Sequence, residues 1–161
     1  MKTTLINFIG SFCYLGRAPF APGTFGSAGA ALCFWLGLLF LPSGVYPYFL
    51  YLVPVLVFAI GWPVCSYIEK TGGKDDPGWV VIDELGGQWL TFWLIPCEQI
   101  VEKPYLILIG FGLFRLFDIW KPFFIKKLDA IRGGFGIMAD DYLAGFYAAI
   151  LLFLIARFLP L

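Results

Sequence analysis

The chain has 161 residues, of which 60% are hydrophobic and only 14% are charged, with a formal net charge of zero. Soluble domains carry about a quarter charged residues, so the composition excludes an ordinary soluble domain and indicates an integral membrane protein. The balanced charge gives no support to a nucleic-acid partner, and the length suits a single domain over residues 1–161.

Apolar stretches along the chain predict an all-α fold, a polytopic membrane helical bundle with about five spans. Residues 4–15 imitate a signal peptide but lack a small-residue cleavage site, so we expect an interfacial or re-entrant N-terminal helix there. Five later stretches approach the roughly 20 residues that a helix needs to cross a bilayer. These predicted spans are 24–41, 47–68, 80–96, 104–120 and 138–160.

The distribution of Lys and Arg predicts how the bundle is oriented. If the N-terminus is cytoplasmic, Lys103 and Arg157 fall outside and the other nine basic residues fall inside, as the positive-inside rule requires. The C-terminus then lies outside. The inside set is Lys2, Arg17, Lys70, Lys74, Arg115, Lys121, Lys126, Lys127 and Arg132.

Four clusters of polar residues fall at the cytoplasmic ends of the predicted spans. In chain order they are Arg17 with Thr24, Asp83 with Glu84, Arg115 with Asp118 and Lys121, and Asp140 with Asp141. Charged residues are costly in membrane helices and often mark function. Because antiparallel spans bring these ends to one face of the bundle, we expect the clusters to meet there.

A structural role competes with a functional one in each cluster. Acids in the first turn of a helix are favoured by its dipole, so the pairs at 83–84 and 140–141 have capping as an alternative. Arg115, Asp118 and Lys121 follow each other at intervals of three residues. They have an intrahelical ion-pair ladder as an alternative, with the lysine reaching to the interface.

The remaining charges favour simpler roles. Lys126, Lys127 and Arg132 fit a topology signal and contact with anionic lipid better than catalysis, although Arg132 is also a candidate substrate contact. Five further acids are expected to be solvated loop residues: Glu69, Asp75, Asp76, Glu98 and Glu102. Among these, the pair at 75–76 is the strongest exception, because it precedes Asp83 on the same side.

The residue types at this face suit a hard cation and a phosphate group. The chain has no histidine and only four, widely separated cysteines, which argues against zinc. The candidate metal ligands are Asp83, Glu84, Asp118, Asp140 and Asp141, whose oxygens suit Mg²⁺. Arg115, Lys121 and Arg17 supply positive charge for an anion, and Thr24 lies in a Pro- and Gly-rich stretch that offers a lid or a phosphate contact. The sequence thus predicts phosphate chemistry on a lipid head group.

Four stretches of the chain also resemble a known family. They are APGTFGS at 21–27, VIDELGG at 81–87, FRLFDIWKP at 114–122 and GGFGIMADDYLAG at 133–145. Their content and order resemble the phosphatidylglycerophosphatase A family. The resemblance implies a Mg²⁺-dependent enzyme of the bacterial inner membrane that dephosphorylates phosphatidylglycerol phosphate in phospholipid synthesis. By position it implies catalytic or metal-binding roles for the five acids named above, with Arg115 and Lys121 beside them.

Two other functions and two mechanisms stay open at this point. A small transporter or channel uses intramembrane carboxylates as an ion path, but it would place charges near the midplane or on both sides. A structural subunit would balance its charges in pairs, whereas these clusters have an excess of acids. For hydrolysis, attack by water with an aspartate as the base competes with a covalent aspartyl-phosphate.

Overall fold

The computed structural model describes residues 2–72 and 77–158. These residues contain eight α-helices and no strand. The helices in chain order are α1 Lys2–Gly10, α2 Pro22–Phe40, α3 Tyr46–Gly72, α4 Ile82–Leu90, α5 Cys97–Glu102, α6 Tyr105–Trp120, α7 Ile125–Asp129 and α8 Gly134–Phe158. The predicted all-α helical membrane bundle is therefore confirmed.

Three of these helices are long and apolar enough to cross a membrane. They are Pro22–Phe40, Ser43–Gly72, which combines a 3-10 turn with α3, and Gly134–Phe158. The predicted spans at 80–96 and 104–120 correspond to α4, with 9 residues, and α6, with 16. Both are shorter than the roughly 20 residues of a typical span, so the number of spans stays a prediction.

The N-terminal helix is shorter than expected and is tied to the bundle. The helix ends at Gly10, and Phe12, Cys13 and Tyr14 that follow it have positive φ. The carbonyl oxygen of Gly10 accepts a hydrogen bond of 2.9 Å from the N–H of Val81. This bond connects the end of α1 to the start of α4, the helix that carries two of the predicted site residues.

Helix α4 lies inside the bundle, where small residues let its backbone approach α8. A Cβ atom added at Gly145 would lie 2.9 Å from the carbonyl carbon of Gly87. On α8 the same face continues through Ala144 and Ala148, both fully buried. This face of small residues packs inward, and it sets the distance between the acids of the two helices.

Candidate active site

A cavity of about 280 Å³ opens at the end of the bundle where α3 and α6 end and α4 begins. Its charged lining residues are Glu69, Asp83, Glu84, Asp118, Lys121, Asp129, Arg132, Asp140 and Asp141. Residues from three of the four predicted clusters thus meet in one place, although they are far apart in the sequence. The antiparallel threading predicted that all four clusters would meet at one face, and three of them line this cavity.

Three carboxylates form the centre of this site. Asp83, Glu84 and Asp141 each offer one oxygen, and these oxygens all lie within 4.8 Å of one another. Asp118 is within hydrogen-bonding reach of Asp141, so a fourth carboxylate adjoins the group. Four negative groups this close repel each other unless a proton or a cation lies between them.

The capping alternative has a different outcome for the two pairs of acids. Helix α8 begins at Gly134, so Asp140 and Asp141 lie more than one turn inside it and the N-cap interpretation is wrong. Asp83 and Glu84 do lie in the first turn of α4, where the helix dipole favours acids. Asp83 accepts a hydrogen bond of 3.1 Å from the N–H of Glu84, so capping stays open for this pair.

Several oxygens of the acid cluster are buried without a hydrogen-bond partner among the described residues. They are Oε2 of Glu84, Oδ1 of Asp140 and Oδ2 of Asp141. Glu84 lies on α4, outside the three candidate spans, and its burial, together with the charges of Asp141 and Asp118, raises its pKa to about 8. A buried, unpaired carboxylate oxygen is costly, so the donor set fits a hard cation.

Arg115 forms an ion pair with Asp118 and also contacts α2. Its Nη1 lies 2.5 Å from Oδ2 of Asp118, three residues further along α6. The same nitrogen donates a hydrogen bond of 3.4 Å to the hydroxyl of Ser27 on α2. The first step of the predicted ion-pair ladder is therefore present, and it orients an acid that lines the cavity.

Lys121 does not continue this ladder. Its backbone caps the end of α6 with a φ of 46°, and its ammonium pairs with Asp129 and, at 2.7 Å, with Asp140. Burial opposes the charged form of this lysine, but the hydrogen bonds and charges of the two carboxylates outweigh burial and raise its pKa. Lys121 is therefore a fixed positive charge at the rim of the cavity.

The first predicted cluster lies apart from this lining. Arg17 is exposed, and its guanidinium carbon lies 5.7 Å from the ring centre of Tyr14 and 5.4 Å from that of Trp79. Thr24 lies in the first turn of α2 and is half-buried. Neither residue lines the cavity. Arg132, by contrast, does line it and is exposed.

Two acids at the cavity were missed by the sequence reasoning. Glu69 is not a solvated loop residue, because it is half-buried on α3 and accepts a hydrogen bond of 3.1 Å from the N–H of Gly133. Asp129 ends α7 and pairs with Lys121. The only signal for Glu69 was its place at the cytoplasmic end of a predicted span. The predicted exceptions at 75–76 lie outside the described residues.

Comparisons with known proteins identify the family of the chain. The family model described as phosphatidylglycerophosphatase A matches residues 8–156. Phosphatidylglycerophosphatase A of Escherichia coli is 38% identical over 147 residues, which cover 91% of this chain and 80% of the relative. The Haemophilus influenzae protein of the same name is 38% identical over 136 residues, covering 84% and 78%.

A third relative has a different name. A protein of Bacteroides thetaiotaomicron, named as a candidate phosphatidylinositol-3-phosphatase, is 36% identical over 138 residues, covering 85% of this chain and 84% of its own. No solved structure matches the chain significantly. The family match spans the acids at the cavity and almost all of the bundle, so this chain belongs to the phosphatidylglycerophosphatase A family.

Proposed function

We propose that this protein is a Mg²⁺-dependent phosphatase that hydrolyses phosphatidylglycerol phosphate to phosphatidylglycerol and orthophosphate. The observation that carries the proposal is the cluster of Asp83, Glu84 and Asp141, whose oxygens lie within 4.8 Å of one another in a chain of this family. A cluster of carboxylates beside fixed positive charges suits a phosphomonoester, whose oxygens need neutralisation during hydrolysis.

These three carboxylates would hold the cation, with Asp118 and Asp140 as the neighbouring ligands predicted from the sequence. The chain offers oxygen ligands without histidine, which is the preference of Mg²⁺. When bound, the cation supplies Lewis-acid chemistry, because it neutralises phosphate oxygens and makes water more acidic. Asp140 also pairs with Lys121, which links the cation site to the rim of the cavity.

The basic residues would bind and orient the phosphate. Lys121 and Arg132 both line the cavity and meet a head group that enters from the membrane surface. Arg115 acts one step further back, because its guanidinium fixes the carboxylate of Asp118. In the absence of histidine, an aspartate of the cluster accepts the proton of the attacking water.

The same proposal places the protein in the bacterial inner membrane, with a cytoplasmic N-terminus and the cavity on the cytoplasmic face. Six basic residues on α3, α6 and α7 or in the segments that follow α6 and α7 lie toward the cavity end, namely Lys70, Arg115, Lys121, Lys126, Lys127 and Arg132. Lys103, which precedes α6, and Arg157, near the end of α8, lie toward the other end. This bias supports the cytoplasmic assignment.

The direct test supplies phosphatidylglycerol phosphate in detergent micelles to the purified protein and measures the release of orthophosphate. We expect release with Mg²⁺ and its loss in EDTA. Equal release in EDTA would overturn the metal assignment. Release from phosphatidylinositol 3-phosphate alone would transfer the proposal to that head group, and no release from either lipid by folded protein would favour the transporter alternative.

A further inference from the structure

An apolar groove of about 370 Å³ runs along the outside of the bundle between α2 and α6. All eight lining residues are apolar, among them Ala28, Leu32 and Trp35 on α2, and Leu108 and Phe111 on α6. The volume is within the range of about 300–1,000 Å³ that small-molecule sites occupy. Since α2 is a candidate membrane span, we expect the groove to face lipid.

One end of the groove lies next to the guanidinium that holds Asp118. Ala28 follows Ser27, which accepts the hydrogen bond from Arg115, and Phe111 precedes Arg115 by one helical turn. A helical turn rises about 5.4 Å, so along α6 the groove lining ends roughly that far from the backbone position of Arg115. The Nε–H of Arg115 is buried and has no partner among the described residues, which leaves a donor at this end.

Beyond this guanidinium lies the acid cluster. A Cβ atom added at Gly23, in the first turn of α2, would lie 3.2 Å from Nη1 of Arg115 and would collide with Oε1 of Glu84. The groove, the guanidinium and the candidate cation ligands therefore follow one another along the first turns of α2. From Ala28 to Trp35 the groove extends away from the cluster for about 10 Å of helix.

We propose that this groove holds an acyl chain of the lipid substrate while its phosphate occupies the cavity. The inference rests on the proposed function, because it needs a substrate with a phosphate at one end and hydrocarbon at the other. A lipid whose chains stay in the bilayer needs an apolar path that leads to the catalytic residues, and the groove ends beside Arg115. Burial of methylenes in a preformed groove stabilises the complex and selects the orientation of the head group.

The test compares Ala28→Phe with Ala59→Phe, an equally exposed alanine on the candidate span formed by α3. Each variant is assayed with long-chain phosphatidylglycerol phosphate and with a water-soluble dihexanoyl analogue. We expect Ala28→Phe to raise KM for the long-chain lipid about 10-fold, the loss expected when about two methylenes lose their contacts. Values of kcat, turnover of the dihexanoyl analogue and all values for Ala59→Phe should match wild type.

If Ala28→Phe had the wild-type KM for the long-chain lipid, or if its KM rose equally for both substrates, the groove would not bind the acyl chain. The proposed function would stay intact in either case. Failure of the wild-type protein to hydrolyse the long-chain lipid would overturn both proposals.

A second measurement avoids the variant altogether. Phosphatidylglycerol phosphate with a diazirine in one acyl chain should label residues 22–40 of the wild-type protein, and excess unlabelled substrate should prevent it. If the labelling persisted in excess unlabelled substrate, the groove would hold ordinary bilayer lipid without preference for the substrate. That result would overturn the inference.

Discussion

Asp141 shows how a single residue connects the fold to the site. It is 5% exposed, belongs to the three-carboxylate group and adjoins Asp118. Its position inside α8 means that no loop movement is needed to bring it to the cavity. The bundle itself therefore fixes the acid at a place where its charge is unfavourable unless a cation is bound.

Asp141→Asn should abolish activity without unfolding the protein. Asparagine has almost the same shape but removes one negative charge from the cluster, so we expect turnover to fall by about 100-fold or more. The thermal unfolding temperature without Mg²⁺ should stay the same or rise, since a like-charge repulsion is removed. Phosphate release and thermal unfolding in detergent measure the two effects. Glu98→Gln, at an exposed position on α5, is the control and should be nearly silent.

The two partners of Lys121 should differ in their contribution. The side chain of Asp129 is 44% exposed, whereas that of Asp140 is 7% exposed. Exposed ion pairs contribute about 0–1 kcal/mol, so Asp129→Asn should lower kcat/KM less than about 5-fold. Hydrogen bonds to buried charges contribute about 1.5–3 kcal/mol, so Asp140→Asn should cost at least about 10-fold. Equal losses in steady-state assays would show that Lys121 depends on both partners alike.

The sequence identified five acids near the cavity but missed Glu69 and Asp129, and it misjudged the local structure around Asp140 and Asp141. The predicted span at 138–160 placed Asp140 and Asp141 in the first turn of a helix. In the structure, α8 begins earlier, at Gly134. The lack of a side chain at Gly134 lets α8 pack against α3, where a Cβ atom would collide with the backbone of Trp62 and Ser66. Close packing between distant segments is not visible in a single sequence. For the same reason, the sequence showed no sign of the hydrogen bond from the N–H of Gly133 to Glu69.

At the scale of the elements, the contact between α4 and α8 determines the geometry of the site. Helix α4 carries Asp83 and Glu84, and α8 carries Asp141. Their backbones approach through Gly87 and Gly145. The sequence predicted a span at 80–96, but the helix has only 9 residues and is buried in the bundle. Its apolar residues face other helices instead of lipid, a distinction that hydropathy alone does not make.

Gly87→Ala should separate these two helices. The added Cβ would lie 2.5 Å from the carbonyl oxygen of Asp141 and 2.6 Å from the ring of Phe114. Overpacking of this kind costs about 1–3 kcal/mol, so we expect a lower unfolding temperature and a loss of activity that added Mg²⁺ does not restore.

Gly112→Ala on α6 is the matched control for this change. A Cβ at Gly112 has nothing within 4 Å, and the change should stabilise the helix by about 0.5–1 kcal/mol. If Gly87→Ala retained wild-type stability and activity, close approach of α4 and α8 would not be required for the site.

At the scale of the whole molecule, the charges divide between two ends. The cavity lies where α3 and α6 end, whereas Glu98 lies near Tyr46, at the start of α3. Along α3 these ends are about 35 Å apart, roughly the thickness of a bilayer. The positive-inside pattern was readable from the sequence because it depends only on loop composition, whereas the number of spans depends on which helices are buried by their neighbours.

Thiol labelling tests this orientation. In a variant whose exposed thiols Cys13 and Cys33 are changed to serine, we would place a single exposed cysteine at Glu102 or at Lys126. An impermeant maleimide added to intact cells should label Glu102→Cys but should label Lys126→Cys only after the membrane is opened. The opposite pattern would place the cavity on the outer face of the membrane.

The binding of a divalent cation to the purified protein tests the central claim most directly. Titration calorimetry with Mg²⁺ in detergent should show saturable binding to the wild-type protein. In Asp83→Asn and Asp141→Asn the affinity should fall by about 10- to 100-fold, while Glu98→Gln should bind as the wild type does. Identical Mg²⁺ affinity in the wild type and the two aspartate variants would contradict a cation held between α4 and α8.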